Sequence, residues 1–408
     1  MKILIIGINY SPEPTGSAPY TSGVAEMLVE DGHQVMAIVG IPHYPDWKVA
    51  TQDKFRLRYR EVKNGVLVHH FRHFVPKKQT PISRILWELT FLLNVVTCRI
   101  KMNADLVFCS TPSLSGGLLG LYFSRRSKAP QVSIVQDLVG LGVSQSGLGG
   151  GNYVSKIAKK LEKYILINSA RVAIVTESFS DYLTKMSIKP SSITIFPNWA
   201  HIPSSNMSKA KAREFFGWDS KKFIVLHTGN MGLKQNLENL IEASKLFIES
   251  EEIAVVLCGE GSQRRKLEKL GNGISSLSFM EPVDALIYPN LLLAADLLIV
   301  CERPSVGNMS LPSKLTSYFF SGTPVLASVD PFGACAKEIS KTNGAAVLIP
   351  AGKPVELALA IRTLKEHPDL LINMGIRGKN YSSNNLTRDA AKIRLRHIVE
   401  QLVEFKNQ

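Results

Sequence analysis

Pro312-Ser313-Lys314-Leu315 opens a helix that closes at Ser321-Gly322-Thr323-Pro324-Val325. A hydroxyl and an ammonium there stand beside unpaired helix amides and the positive end of the helix dipole, a combination that binds phosphate. Arg303, just upstream in a loop with Pro and Gly, adds a planar fork of donors for the same anion. Two more strand exits carry glycine: Thr228-Gly229-Asn230-Met231-Gly232-Leu233-Lys234-Gln235, and Gly259-Glu260-Gly261-Ser262 after Cys258. Each alone also reads as a capped helix or a tight turn without a ligand. Three in one half of the chain fit a nucleoside-diphosphate pocket better than any one does.

The first half offers other chemistry. Asp137 follows an apolar strand, where a carboxylate can orient a sugar hydroxyl or stabilise positive charge at an anomeric carbon. Capping of the next turn is its alternative reading. Gly16, in Asn9-Tyr10-Ser11-Pro12-Glu13-Pro14-Thr15-Gly16, lets backbone amides approach a ligand where a strand turns into a helix, although a plain turn also explains it. The dinucleotide spacing G-x-G-x-x-G is missing there. His43, Tyr44, Asp46 and Trp47 form an aromatic-rich loop suited to acceptor recognition or to loop packing. His69, His70 and His73 lie on or beside one strand and cannot converge on a metal.

Positioning these groups requires sheets. Apolar runs recur at residues 3–6, 35–39, 66–71, 106–109, 132–135 and 172–175, then at 223–226, 254–258, 277–279, 297–300, 325–327 and 346–349. Several are apolar at consecutive positions, as strands covered on both faces are. Helical patterns at 20–30, 235–248 and 313–321 alternate with them, so the expected class is α/β with parallel sheets. Prolines and polar residues at 196–205 mark a linker. The expected domains are 1–200, with the basic surface and the loop suited to an acceptor, and 201–382, with the nucleoside-diphosphate pocket; a closing helix at 383–408 can pack on either and is expected back on the first. Two Rossmann-like domains would face each other across a cleft lined by strand C-termini.

The 408 residues are 45% hydrophobic and 20% charged, a soluble globular composition. Scattered cysteines read as reduced thiols of a cytosolic protein, and the N-terminus as a strand rather than a signal peptide. The net charge of +14 is concentrated at residues 51–171, which hold 19 Lys/Arg against 6 Asp/Glu. Such a patch points to an anionic partner. No nucleic-acid motif accompanies it, so no nucleic acid is expected. The apolar segment 85–96, with Lys77, Lys78 and Arg84 before it and Arg99 and Lys101 after it, is too short to span a bilayer. It fits a helix lying in an anionic membrane interface, or a helix buried between layers. Lys156, Lys159, Lys160 and Lys163 recur at helical spacing, which more often marks a solvated face.

The two-domain layout, the glycine loop before Lys234, Gly259-Glu260-Gly261, Pro312-Ser313-Lys314-Leu315 and Gly322-Thr323-Pro324-Val325 resemble glycosyltransferase family 4, which has the GT-B fold. Asn9-Tyr10-Ser11-Pro12-Glu13, Tyr44-Pro45-Asp46-Trp47 and Phe196-Pro197-Asn198-Trp199 resemble its colanic-acid and exopolysaccharide fucosyltransferase subgroup. The resemblance implies a retaining, metal-independent transfer of a sugar, fucose or another deoxy or amino sugar. The donor would be a GDP- or UDP-linked nucleotide sugar and the acceptor a lipid-linked saccharide at the cytoplasmic membrane face, with no cofactor. It implies donor-binding roles for Gly16, Gly229, Asn230, Lys234, Gly259, Glu260, Gly261, Arg303, Ser313, Lys314 and Leu315, and catalytic roles for Asp137, Lys234 and Lys314. The chain departs from the family where Met309 and Ser317 replace two glutamates, the second of which usually grips the nucleotide ribose, and where Asn230 replaces an arginine. A sugar-nucleotide epimerase of the same shape and a non-catalytic binding subunit of a polysaccharide-assembly complex are the competing readings.

Overall fold

A computed structural model describes residues 1–14, 16–78, 80–98, 100, 102–139, 151–304, 307 and 311–406. Two compact units divide the chain: Met1–Pro197 together with Ala391–Gln408, and Asn198–Ala390.

The first unit is built on an eight-stranded sheet. Its strands are β1 (Lys2–Gly7), β2 (Gln34–Gly40), β3 (Arg58–Lys63), β4 (Val66–Phe71), β5 (Leu106–Thr111), β6 (Gln131–Val135), β7 (Arg171–Ile174) and β8 (Ile193–Ile195). Their order is β3-β4-β2-β1-β5-β6-β7-β8, and all pairs are parallel except β3 with β4. β5 and β6 are buried at every position, which demands cover on both faces. Trp87, Phe91 and Val95 of the helix Pro81–Thr97 supply part of one layer, against Leu4, Ile6, Val107 and Phe123.

The second unit carries β9 (Phe223–Thr228), β10 (Ile253–Cys258), β11 (Leu277–Met280), β12 (Leu297–Cys301), β13 (Val325–Val329) and β14 (Ala346–Pro350). The order β11-β10-β9-β12-β13-β14 is parallel throughout. Alternate residues serve opposite cores: Phe223 and Val225 belong to one, Ile224 and Leu226 to the other. Each fully buried side chain of this size stabilises by roughly 1.5–3 kcal/mol, so a one-residue slip in β9 would forfeit several such terms.

The strand order runs outward in both directions from the β9/β12 pair. Such a topological switch point opens a crevice at the carboxyl ends of its strands, and ligands of doubly wound sheets bind there. Gly229 leaves β9 and Glu302 leaves β12 at that place.

Three elements differ from the sequence expectation. A helix anticipated from residue 235 begins at Leu237, because Asn236 takes a left-handed φ of 45°. Lys234 consequently sits in a 3-10 turn, Leu233–Gln235. β3 was not anticipated, nor the short β8. The last helix, Arg388–Lys406, clusters with the first unit from Ala391 onward; Lys392 and Arg396 pair with Glu30 and Asp31 at the end of the helix Ala18–Glu30.

Candidate nucleotide-sugar site and acceptor loop

In the second unit the switch point gathers Lys314, His227, Gly229, Lys234 and Glu302. Lys314 enters from the first turn of the helix Ser313–Ser321 and donates from Nζ to His227 Nε2 at 3.1 Å. His227 belongs to β9 and is fully buried, so it stays neutral: burial, then the Lys314 charge, holds its pKa well below the usual value. Burial also brings the Lys314 ammonium down to about 8, despite the opposing pull of Cys301 and Glu302. Glu302 is pushed up to about 7, mainly by burial and against the pull of Lys314 and Lys234. The site therefore holds a cation that is costly to keep charged in the dry interior and that an incoming anion would stabilise.

A methyl group built on Gly229, at φ 101°, would lie 3.9 Å from Lys314 Nζ. The strand exit thus exposes bare backbone beside the ammonium. Beneath it, Thr228 N donates to Tyr318 Oη at 2.9 Å, and Thr228 Oγ1 lies 2.8 Å from Tyr288 Oη. Buried Tyr318 and half-buried Tyr288 clamp the end of β9. Ser313 is exposed, and the preceding residue, Pro312, makes no side-chain cap; its carbonyl accepts from Leu315 N at 3.0 Å.

The other expected donor residues have different surroundings. Gly259 and Gly261 make close backbone contacts: a Cβ on Gly259 would lie 1.9 Å from Gly229 O, and one on Gly261 2.6 Å from Met231 O. Their glycine character is explained by the packing of two loops, stitched by Met231 N to Glu260 O at 2.7 Å. The Glu260 side chain is exposed and accepts from Gly261 N at 3.2 Å. Lys234 and Asn230 are exposed, and Lys234 O accepts from Arg303 N at 2.9 Å. The Arg303 guanidinium lies 3.9 Å from Glu238, which also holds Lys266 at 2.9 Å. Leu315 is a correction: its side chain is buried in the core with Tyr318 and Phe319, and its amide donates to Pro312 O. Nothing of Leu315 remains for a ligand. Ser317 is buried as well, and Met309 lies outside the described residues.

The first unit arranges the loop of His43, Tyr44, Asp46 and Trp47 around a carboxylate, Glu13, that the sequence reading gave no role. Glu13 accepts from His43 N at 2.8 Å, Tyr44 N at 3.0 Å and Asn9 Nδ2 at 2.8 Å. His43 is buried and fully engaged, so the acceptor role expected for it is corrected to packing. Trp87 Nε1 donates to its Nε2 at 3.1 Å, which puts the proton on Nδ1, 3.0 Å from Ile41 O. His43, His73, Trp47 and Trp87 form one aromatic cluster, and burial drives His73 down to about 3. Asp46 is exposed, while Tyr44 and Trp47 are half-buried. Gly16, at φ 71°, faces the Tyr44 ring. Asp137 is half-buried in the turn after β6, where the buried Glu162 accepts from Val139 N at 2.7 Å.

A model described as glycosyl transferase 4-like domain matches residues 15–199, and one described as glycosyl transferases group 1 matches residues 222–367. The chain belongs to glycosyltransferase family 4. It is 28% identical over 378 residues to the putative colanic acid biosynthesis glycosyl transferase WcaI of Escherichia coli (strain K12), covering 89% of this chain and 91% of that protein. Sucrose-phosphate synthase from Thermosynechococcus elongatus superposes with a TM-score of 0.77 at 16% identity, over 99% of both chains. Anabaena HepE, solved with UDP, superposes with a TM-score of 0.72 at 14% identity, over 98% of this chain and all of that one. These structural likenesses make the fold of the transferase GT-B.

Proposed function

We propose that this glycosyltransferase moves a sugar from a nucleoside-diphosphate donor to a lipid-linked saccharide during exopolysaccharide assembly, with retention at the anomeric carbon. The observation that carries the reading is the Lys314 ammonium, held beside neutral His227 and bare Gly229 at the switch point of the second unit. HepE, of the same fold, has been solved with UDP and with UDP-glucose, and the WcaI relative is named for colanic acid biosynthesis. Both support the donor class and the pathway class.

In this reading the donor C1–O bond breaks and its electron pair leaves with the nucleoside diphosphate. Lys314, Lys234 and the amides around Ser313 neutralise the charge that develops on the leaving phosphate. The acceptor oxygen bonds to C1 from the same face and its proton passes to the departing phosphate oxygen. Asp137 positions the sugar or the acceptor, and Tyr44, Asp46 and Trp47 meet the acceptor.

Lys314→Ala is expected to lower kcat by about 100-fold or more, the scale for removing one donor to transition-state charge. Release of GDP or UDP from a panel of nucleotide sugars with lipid-linked acceptors measures it, and an unchanged melting temperature shows that the variant is folded. Near-normal transfer would remove Lys314 from the mechanism. A binding-only protein draws support from buried Ser317, which cannot grip a ribose; tight binding of the donor without turnover would establish that alternative.

A further inference from the structure

The helix Pro81–Thr97 is apolar on two opposite faces. Trp87, Phe91 and Val95 are buried in the first unit. Ile82, Ile85, Leu86, Leu89, Leu93 and Val96 point away, Ile82 being 72% and Leu93 53% exposed. At 3.6 residues per turn these six fall within an arc of about 100°, opposite the buried three. A helix apolar all round is ordinarily covered all round. Here one face is covered by the unit itself.

The orientation of the helix is fixed. Glu88 accepts from Ser113 Oγ at 2.9 Å, Leu114 N at 3.1 Å and Ser115 N at 2.9 Å, capping the start of the helix Leu114–Ser127. Asn94 Nδ2 donates to Arg72 O at 2.8 Å and Leu57 O at 3.3 Å, which brings the loop before β3 alongside. That loop presents Phe55, 89% exposed, and Leu57, 68% exposed. Phe74, also exposed, is joined to the helix by its amide, which donates to Thr90 Oγ1.

Charge decides what such a face fits. Residues 53–97 contain nine Lys/Arg and three Asp/Glu. Of the acids, Glu88 is spent on its helix cap and Asp53 is buried, leaving Glu61 on the surface. Lys54, Arg56, Arg58, Lys77 and Lys78 are exposed around the apolar stripe. Self-association would bring two such cationic rims together, whereas an anionic bilayer neutralises them. The helix has 17 residues, and no helix among the described residues is long and apolar enough to cross a membrane, so it lies in the interface plane.

We propose that the outward stripe of the helix Pro81–Thr97, together with the Phe55–Leu57 loop tip, docks the first unit on an anionic lipid bilayer. The proposal does not depend on the donor chemistry above. Arg84 stands over both Trp47 and Trp87, and Trp87 bonds His43, so the docked helix also carries the Tyr44–Trp47 loop to the lipid surface.

Co-sedimentation of the full chain with vesicles tests this. Vesicles of phosphatidylglycerol with phosphatidylethanolamine should retain the protein, pure phosphatidylcholine should not, and salt at about 1 M should weaken the retention. Ile85→Asp/Leu89→Asp and, separately, Phe55→Ser/Leu57→Ser should each reduce partitioning by roughly tenfold or more, with melting temperature unchanged. Lys77→Ser/Lys78→Ser should reduce it selectively on the anionic vesicles. Absence of binding to phosphatidylglycerol vesicles would overturn the proposal, as would binding indifferent to the apolar replacements. So would a dimer in solution that dissociates in those variants, since a second copy would then be the occupant.

Discussion

Lys314 is held in surroundings that oppose its charge, with neutral His227 rather than a carboxylate as its hydrogen-bond partner. Because burial lowers its pKa to about 8, the ammonium is lost as pH rises through that value. Affinity for UDP or GDP should therefore fall between about pH 7 and pH 9, while Lys314→Arg, cationic throughout, should keep it level. Calorimetric titration across that range checks both, and a level wild-type profile would detach the ammonium from the ligand. At this scale the sequence was partly legible. Lys314 and Gly229 announce themselves by type and place, at a helix start and a strand exit. His227, Glu302 and Glu13 do not, because a polar residue closing an apolar run, or one set between prolines, gains meaning only from what folds against it. Leu315 and His43 misled for the converse reason: motif membership does not reveal which side of the chain faces inward.

Among the elements, the doubly covered strands were the most readable, since apolar residues at consecutive positions require two covering layers. β3 escaped because Arg58-Tyr59-Arg60-Glu61-Val62-Lys63 is an edge strand with a mostly exposed, charged face, and only its pairing with β4 makes it a strand. The helix Pro81–Thr97 was visible as an apolar segment, but its sidedness was not. Glu88 is the residue that secures the helix to the neighbouring helix start. Burial raises its pKa, while the Ser113, Leu114 and Ser115 donors pull the other way. Glu88→Ala leaves those donors without an acceptor and should destabilise the first unit by about 1–3 kcal/mol, measured by urea unfolding. Unaltered stability would show that water replaces the carboxylate without cost.

For the whole molecule, the linker near residue 200 and the two α/β halves follow from proline placement and strand-helix alternation. The sequence offers the return of the last helix to the first unit as one of two options, since an amphipathic helix near a terminus carries no address. Its Leu395, Ile398 and Leu402 are buried. Truncation after Ala390 should lower hydrogen-exchange protection across β1–β8 and leave β9–β14 nearly unchanged. Equal losses in both sheets would mean that the helix supports the two units alike.

That return also bears on biosynthesis. A ribosome adding about 5–20 residues per second ordinarily lets domains fold in the order in which they emerge. Here the unit that starts first must wait for a segment translated after the whole of its neighbour. The second unit, continuous in sequence, can mature earlier, while the unit bearing the exposed apolar stripe stays one helix short until synthesis passes Lys406.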